Sequence, residues 1–376
     1  MRFSFTDEQR EFRSVVRRFL EDKSPSSEVR RLMETDAGCD AQVWRDLSSD
    51  LGLTALHIPE VYGGQGFGIS ELAIAVEEMG RALLCAPYFG STVLATTAIL
   101  KAGSDAQKRA LLPDLAAGRT IAAFAFTEEN GRWDAGGVAT TATRNGETYR
   151  LDGVKSFVVD GHTANTVVVL ARRPASEGAD GLSLFTVRGD AAGLQRRRLE
   201  TMDQTRKLAR LGFSAVEAEL LGAEGAASGP LQATLDIAAI CLANEMVGGA
   251  ERLRESAVEY AKLRVQFGRA IGSFQSLQHK AADMLLDVEL AKSAAYYAAA
   301  AADEGDEELP ALASLAKAAA SEAYMQTAVH AVQIHGGIGF TWDNDTHLWF
   351  KRAKSSEVLL GDSAYHRERL MRLWNV

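Results

Sequence analysis

The spacing of apolar residues along this chain changes twice, and no other feature narrows the possible folds as much. From Thr6 to about Gly118 apolar side chains return every three or four residues, as in Phe12, Val15, Val16, Phe19 and Leu20, the period of helices with one buried face. Around Thr120 the period drops to two and β-branched residues take over, in TIAAFAF (120–126), TVVVLARR (166–173) and GLSLFTVRG (181–189). From Pro230 the helical period returns and persists. This order predicts an α+β chain: an N-terminal all-α domain over 1–118, a middle antiparallel β domain over 119–228 and a C-terminal helical bundle domain over 229–376.

Local signals sharpen the outline. Thr6, followed three residues later by Gln9, resembles a capping box, and ETDAGCD (34–40) and PEVYGGQGFG (59–68) are turn-rich breaks between helices. Asn145-Gly146 predicts a hairpin, because both residues tolerate the positive φ of a type I′ turn. Three long helices are expected after Pro230, over 231–264, 274–303 and Leu309 to His335, with the acidic DEGDEELP (303–310) breaking the second from the third. Their alanine content permits close packing within the chain or into a partner subunit.

Composition excludes several classes. With 47% hydrophobic and 24% charged residues the chain is globular in character. A formal net charge of −9 argues against nucleic-acid binding, and the run Arg196 to Arg198 is expected on a solvated face or strand end. Cys39, Cys85 and Cys241 are odd in number and far apart, which suggests neither disulfides nor zinc. His330 and His335 lie five residues apart and so on different helix faces, and with His347 they suggest no metal site. No apolar run of signal-peptide type or of membrane-spanning length occurs, so no membrane span and a cytoplasmic location are expected.

The segment VQIHGGIGF (332–340) admits two readings. Glycine is the usual residue just past a helix end, and glycines also let a ligand approach the backbone. These glycines follow a helix rather than a strand, so they are not the fingerprint of a βαβ dinucleotide fold.

Further motifs accompany it: RVQFGRAIGSFQSLQHK (264–280), FKRAK (350–354), and in the β zone AFTEENGRWD (125–134) and GVKSFVVDG (153–161). In wording and spacing, over nearly the whole chain, these resemble the acyl-CoA dehydrogenase family. The resemblance implies an FAD enzyme with a C-terminal four-helix bundle that drives assembly into tetramers. By that resemblance Arg264, Phe267 and Gln275 match positions that reach the FAD of a neighbouring subunit. Gln333, Gly336 and Gly337 match the segment beside its adenosine pyrophosphate, and Thr127 and Phe157 match positions beside the flavin ring. An arginine suits a pyrophosphate dianion because its planar fork offers charge-assisted donors. Gly336 is expected to stop the helix, and Gly337 and Gly339 to leave room for the cofactor.

The implied reaction removes the α-proton of an acyl-CoA thioester while hydride passes from the β-carbon to the flavin, giving a 2-enoyl-CoA. It needs a carboxylate base. Counted on from the glycine segment, the family's usual Glu position falls on Leu360, and the alternative position on the first long C-terminal helix falls on Ala238. Neither can take a proton. Asp362, Glu357 and Glu245 are the substitutes to weigh, Asp362 first. Arg132 and Trp133 also replace a small Gly-Ser pair beside the expected acyl channel. Two readings follow: a subunit of a heterotetramer that completes a related chain's FAD site without a base of its own, or a homotetrameric enzyme with a displaced base. An electron-transfer flavoprotein is the electron acceptor the resemblance suggests.

Overall fold

The structure, a computed structural model, describes residues 5–376. Helices α1 (Asp7–Lys23), α2 (Ser26–Met33), α3 (Ala41–Arg45), α4 (Ile69–Ala82), α5 (Thr96–Ala102) and α6 (Asp105–Ala116) come first. Strands β1 (Ala122–Ala125), β2 (Thr141–Asn145), β3 (Thr148–Val159), β4 (Thr166–Arg172), β5 (Leu182–Arg188), β6 (Leu194–Arg198) and β7 (Leu208–Leu221) follow. Then come α7 (Ser228–Leu263), a small hairpin of β8 (Val265–Gln266) and β9 (Arg269–Ala270), and α8 (Gln275–Glu304), α9 (Leu309–His335), α10 (Thr346–Val358) and α11 (Ser363–Leu373). The helical, extended, helical order is the one that the apolar periods predict.

Two compact units form. One holds the chain up to Arg31, Ile69–Leu84 and Ala239–Val376; the other holds Leu32–Gly68 and Cys85–Ala238.

In the helical unit, α1 opens on the predicted capping box. The Thr6 hydroxyl accepts from the Gln9 N–H at 3.2 Å, and the Gln9 side chain accepts from the Thr6 N–H at 3.0 Å. Helix α9 buries a broad face, Ala313, Ala316, Ala320, Tyr324 and Ala328 among its residues, and leaves exposed a narrow stripe that runs through Leu315, Glu322, Gln326 and Gln333. Helices α4 and α7 approach through two glycines. A Cβ at Gly80 would stand 2.0 Å from the Glu245 carbonyl oxygen, and one at Gly248 would stand 1.9 Å from that of Glu77. Only residues without a Cβ allow this approach.

Arg13 and Arg17 of α1 answer two buried acids of α4. Arg13 meets Glu77 at 2.6 Å, and Arg17 grips Glu78 with two bonds of 2.7 and 2.8 Å. The Tyr296 hydroxyl also donates to Glu77, at 2.9 Å. Burial nevertheless pushes the Glu77 carboxyl up to about 7. Among the described residues, α7 is the one helix whose length and composition would suit a membrane span, but 89% of its apolar window is buried inside the fold.

In the second unit β4, β5, β7, β3 and β2 pair in turn, and Thr141 of β2 meets Arg172 of β4 to close the circuit. Val167, Val169, Phe185, Val187, Leu211 and Val216 fill the core. The sheet is mixed rather than wholly antiparallel, because β1 runs parallel to β4 over four residues. The hairpin turn also falls one residue later than its sequence suggests. Asn145 pairs with Thr148 and stays in β2, so Gly146 and Glu147 make the turn, with φ of +66° at Gly146. Arg196 to Arg198 lie on β6, which pairs with β7, as a strand with a solvated face.

Candidate functional site

Thr127 is bonded in the sheet unit to Ser156, the residue before Phe157. The Thr127 hydroxyl donates to the Ser156 carbonyl at 2.7 Å, and the Ser156 N–H donates to the Thr127 carbonyl at 3.0 Å. Phe157 sits in a register shift between β3 and β7, at φ +60° and with its side chain partly exposed. That backbone is costly for a bulky residue, on the order of 1–3 kcal/mol, and such strain gathers at functional sites.

The loop around Thr127 is pinned by a buried ion pair that the sequence did not announce. Lys155, fully buried on β3, places its ammonium 2.8 Å from Glu128 and 3.2 Å from the Phe126 carbonyl. Glu128 also accepts the N–H groups of Ala139 and Thr140, each at 2.9 Å. Burial works to raise the Glu128 carboxyl, but the Lys155 charge and these donors outweigh it and hold the group below its ordinary value. Burial in turn pulls the Lys155 ammonium down. In the same loop Trp133 turns inward, its ring 5.8 Å from that of Phe126, while Arg132 stays exposed and pairs with Asp134 at 2.9 Å.

In the helical unit a second group of candidates gathers. Arg264 links α7 to β8, Phe267 lies in the turn of the β8–β9 hairpin, and Gln275 opens α8. Phe267 is 92% exposed at φ +52°, and its ring meets Phe274 edge-on at 6.1 Å. Gln333 closes on the same end of the bundle, accepting from Lys280 of α8 at 3.2 Å. Helix α9 ends at His335 and Gly336 caps it with φ +66°, as its sequence suggests. A Cβ at Gly336 or Gly337 would stand in open space. Gly339 has a different cause from the one expected: a Cβ there would come within 3.1 Å of the Val332 carbonyl oxygen and 3.0 Å of the His335 Cβ, so packing on α9 accounts for it.

After α10 the chain turns sharply at Leu360, buried at 4% exposure with φ +63°, and Gly361, with φ +103°. Lys317, fully buried on α9, holds this turn. Its ammonium donates to the Gly361 carbonyl at 2.7 Å, the Glu357 carbonyl at 3.0 Å and the Ser321 hydroxyl at 3.1 Å. His366 Nε2 lies 3.1 Å from the Leu360 carbonyl, an acceptor, so this nitrogen carries the proton. Burial pulls the imidazole down to about 3.

The carboxylates weighed as bases have other work. Asp362 caps α11, accepting the Tyr365 N–H at 2.8 Å. Glu357 accepts from Lys354 at 2.6 Å. Glu245 is buried against Arg352 at 3.0 Å. Ala238 is buried on α7. Sequence reasoning missed Lys155 and Lys317, since a lysine within an apolar run reads as a solvated side chain.

Three family models match the chain: the acyl-CoA dehydrogenase N-terminal domain over residues 6–119, the middle domain over 123–216 and the C-terminal domain over 230–373. The chain is 36% identical to the acyl-CoA dehydrogenase IpdE2 of Mycobacterium tuberculosis (strain ATCC 25618 / H37Rv), over 98% of its own length and 96% of the relative's. Among solved structures it is similar to butyryl-CoA dehydrogenase from Megasphaera elsdenii, with a TM-score of 0.93 and 30% identity, covering 100% of both chains. It is also similar to a chain of the ChsE4-ChsE5 complex from Mycobacterium tuberculosis, with a TM-score of 0.89 and 25% identity over 100% of this chain and 99% of that one. The chain belongs to the acyl-CoA dehydrogenase family and has its fold, that of FAD-linked oxidoreductases acting on acyl-CoA-like substrates.

Proposed function

We propose that this chain takes part in the α,β-dehydrogenation of an acyl-CoA to a 2-enoyl-CoA as a subunit of a heterotetramer, completing the flavin site of a related chain that supplies the base. The carrying observation is the occupancy of its own carboxylates. Leu360 and Ala238 are apolar and buried, Asp362 caps a helix, and Glu357 and Glu245 are paired with Lys354 and Arg352. The ChsE4-ChsE5 complex, a pairing of two named chains within the same fold, supports the partnership.

The residues present fit FAD. Arg264 offers an exposed guanidinium fork to a pyrophosphate, and Gly336 and Gly337 leave open space where a Cβ would otherwise stand. Gln333, Gln275 and Phe267 would line the same cofactor segment, while Thr127 and Phe157 would lie beside the flavin ring. When bound, FAD accepts the hydride and passes electrons on, here to an electron-transfer flavoprotein. The chain's own contribution is to grip and orient, and the Lys155–Glu128 pair keeps the Thr127 loop in place while it does so.

The experiment is to purify the chain alone and together with a related chain from its genome that carries the missing Glu, and to measure FAD content and flavin bleaching by acyl-CoA. Rapid bleaching is expected only of the pair. Full flavin content and rapid reduction in the chain alone would overturn the reading, and loss of that activity in Asp362→Asn would assign the base to Asp362.

A further inference from the structure

Within the helical unit the end of α7, the start of α8 and the end of α9 come together. Tyr260 of α7 stacks on His335 of α9 with ring centroids 4.5 Å apart, and Lys280 of α8 reaches Gln333 of α9. The chain between Glu259 and Asp283 brings Lys262, Arg264, Arg269 and Lys280 to this end and no acid, although the whole chain has a formal net charge of −9. Two of these cations have a local role. Lys262 stands in the last turn of α7, where the helix field favours a cation, and Arg269 lies over the Phe274 ring at 4.1 Å. Lys280 has neither support. It sits in the second turn of α8, near the positive end of that helix, and among the described residues no carboxylate lies within ion-pair distance of it or of Arg264.

The Lys280 ammonium is nonetheless held in place. It lies 3.2 Å from Gln333 Oε1 and 3.4 Å from His330 Nδ1, both on α9. An ammonium only donates, so both atoms accept, and one of its three N–H groups is left over. The same bond turns the Gln333 amide nitrogen, itself a donor, away from the lysine. A long side chain fixed in advance gives up less rotamer freedom when it meets an anion.

We propose that Lys280 is a further binding residue for the FAD pyrophosphate, supplying the second positive charge where Arg264 supplies the first. The inference rests on the reading that this end of the chain completes the flavin site of a related chain. A pyrophosphate diester is a dianion, and a single arginine offsets only half of it, at a subunit seam of a chain that is acidic overall. Lys280 supplies the other half as a point charge, which asks no particular orientation of the phosphate, while Gln333 and His330 keep its ammonium at the seam.

The test takes this chain assembled with the related chain that carries the Glu, strips the flavin, and titrates FAD back at low and moderate salt while following flavin fluorescence. Lys280→Met should weaken FAD binding about tenfold or more, the scale of a lost charge-assisted contact, and should make the affinity less dependent on salt. Lys280→Arg should restore both. Lys280→Gln keeps a donor for Gln333 and His330 without the charge and should behave as Lys280→Met, so it carries the test if Lys280→Met does not fold. A lysine that only ties α8 to α9 would leave Lys280→Gln with wild-type affinity and every variant with the wild-type salt dependence, and that result overturns the proposal while the flavin reading stands. A wild-type pair that takes up no FAD overturns the flavin reading itself and the proposal with it.

Discussion

Leu360 holds a left-handed backbone with a side chain that cannot remove a proton. The family resemblance, counted along the chain, implies a Glu at position 360, and residue identity then shows a leucine there. The positive φ was not legible, since leucine gives no sign of it. The turn's geometry also depends on Lys317 and His366, whose partners are carbonyls that no side-chain pattern reveals. Because the turn stands without its Glu, we expect Leu360→Glu to give acyl-CoA-dependent flavin bleaching in the FAD-loaded chain. The gain should be on the order of a hundredfold over wild type in stopped-flow absorbance, the scale of a positioned general base. A Leu360→Glu chain that binds FAD and stays inert would place the base elsewhere. Two contacts near this turn and the glycine segment had no sign in the sequence either: Asp362 accepts an N–H at the start of α11, and Gly339 packs against α9.

At the scale of elements, the long helices were legible almost to their ends because a sustained 3.6-residue period and terminal glycines leave few alternatives. The hairpin slipped by one residue because a turn is set by the register of its strands as well as by its preferred dipeptide. The parallel contact of β1 with β4 left no local trace at all. Lys317 joins α9 to the end of α10 through three acceptors, two of them backbone carbonyls. Removing its ammonium leaves buried acceptors unsatisfied, so Lys317→Met should lower stability by roughly 2–4 kcal/mol. Urea denaturation checks the size of the loss. Hydrogen exchange checks its place, with faster exchange expected first over residues 357–366.

For the molecule as a whole, acid brings opposing protonations into competition. Burial pulls the His57 imidazole down to about 4 and the His366 imidazole to about 3, so both stay neutral in the fold while the unfolded chain takes up protons near pH 6.5. Their contribution is intact above pH 6.5 and is lost as pH falls towards 4 and 3. Glu77 acts the other way. Its carboxyl ionises near 7 in the fold and near 4.5 when unfolded, so acidification between those values favours the folded chain. Each group contributes about 1.4 kcal/mol per pH unit within its window. The urea midpoint should therefore fall less steeply between pH 6.5 and 4.5 in His57→Gln and His366→Gln than in wild type, and more steeply in Glu77→Gln.

The meeting of Gly80 with Glu245 and of Gly248 with Glu77 is reciprocal, each glycine facing the carbonyl of a residue three positions from the other. Two missing methyl groups thus act as a pair of notches cut in opposite beams. Neither helix can slide or roll against the other without striking an oxygen, so residues more than 160 positions apart in the chain are locked in one alignment by atoms that are not there.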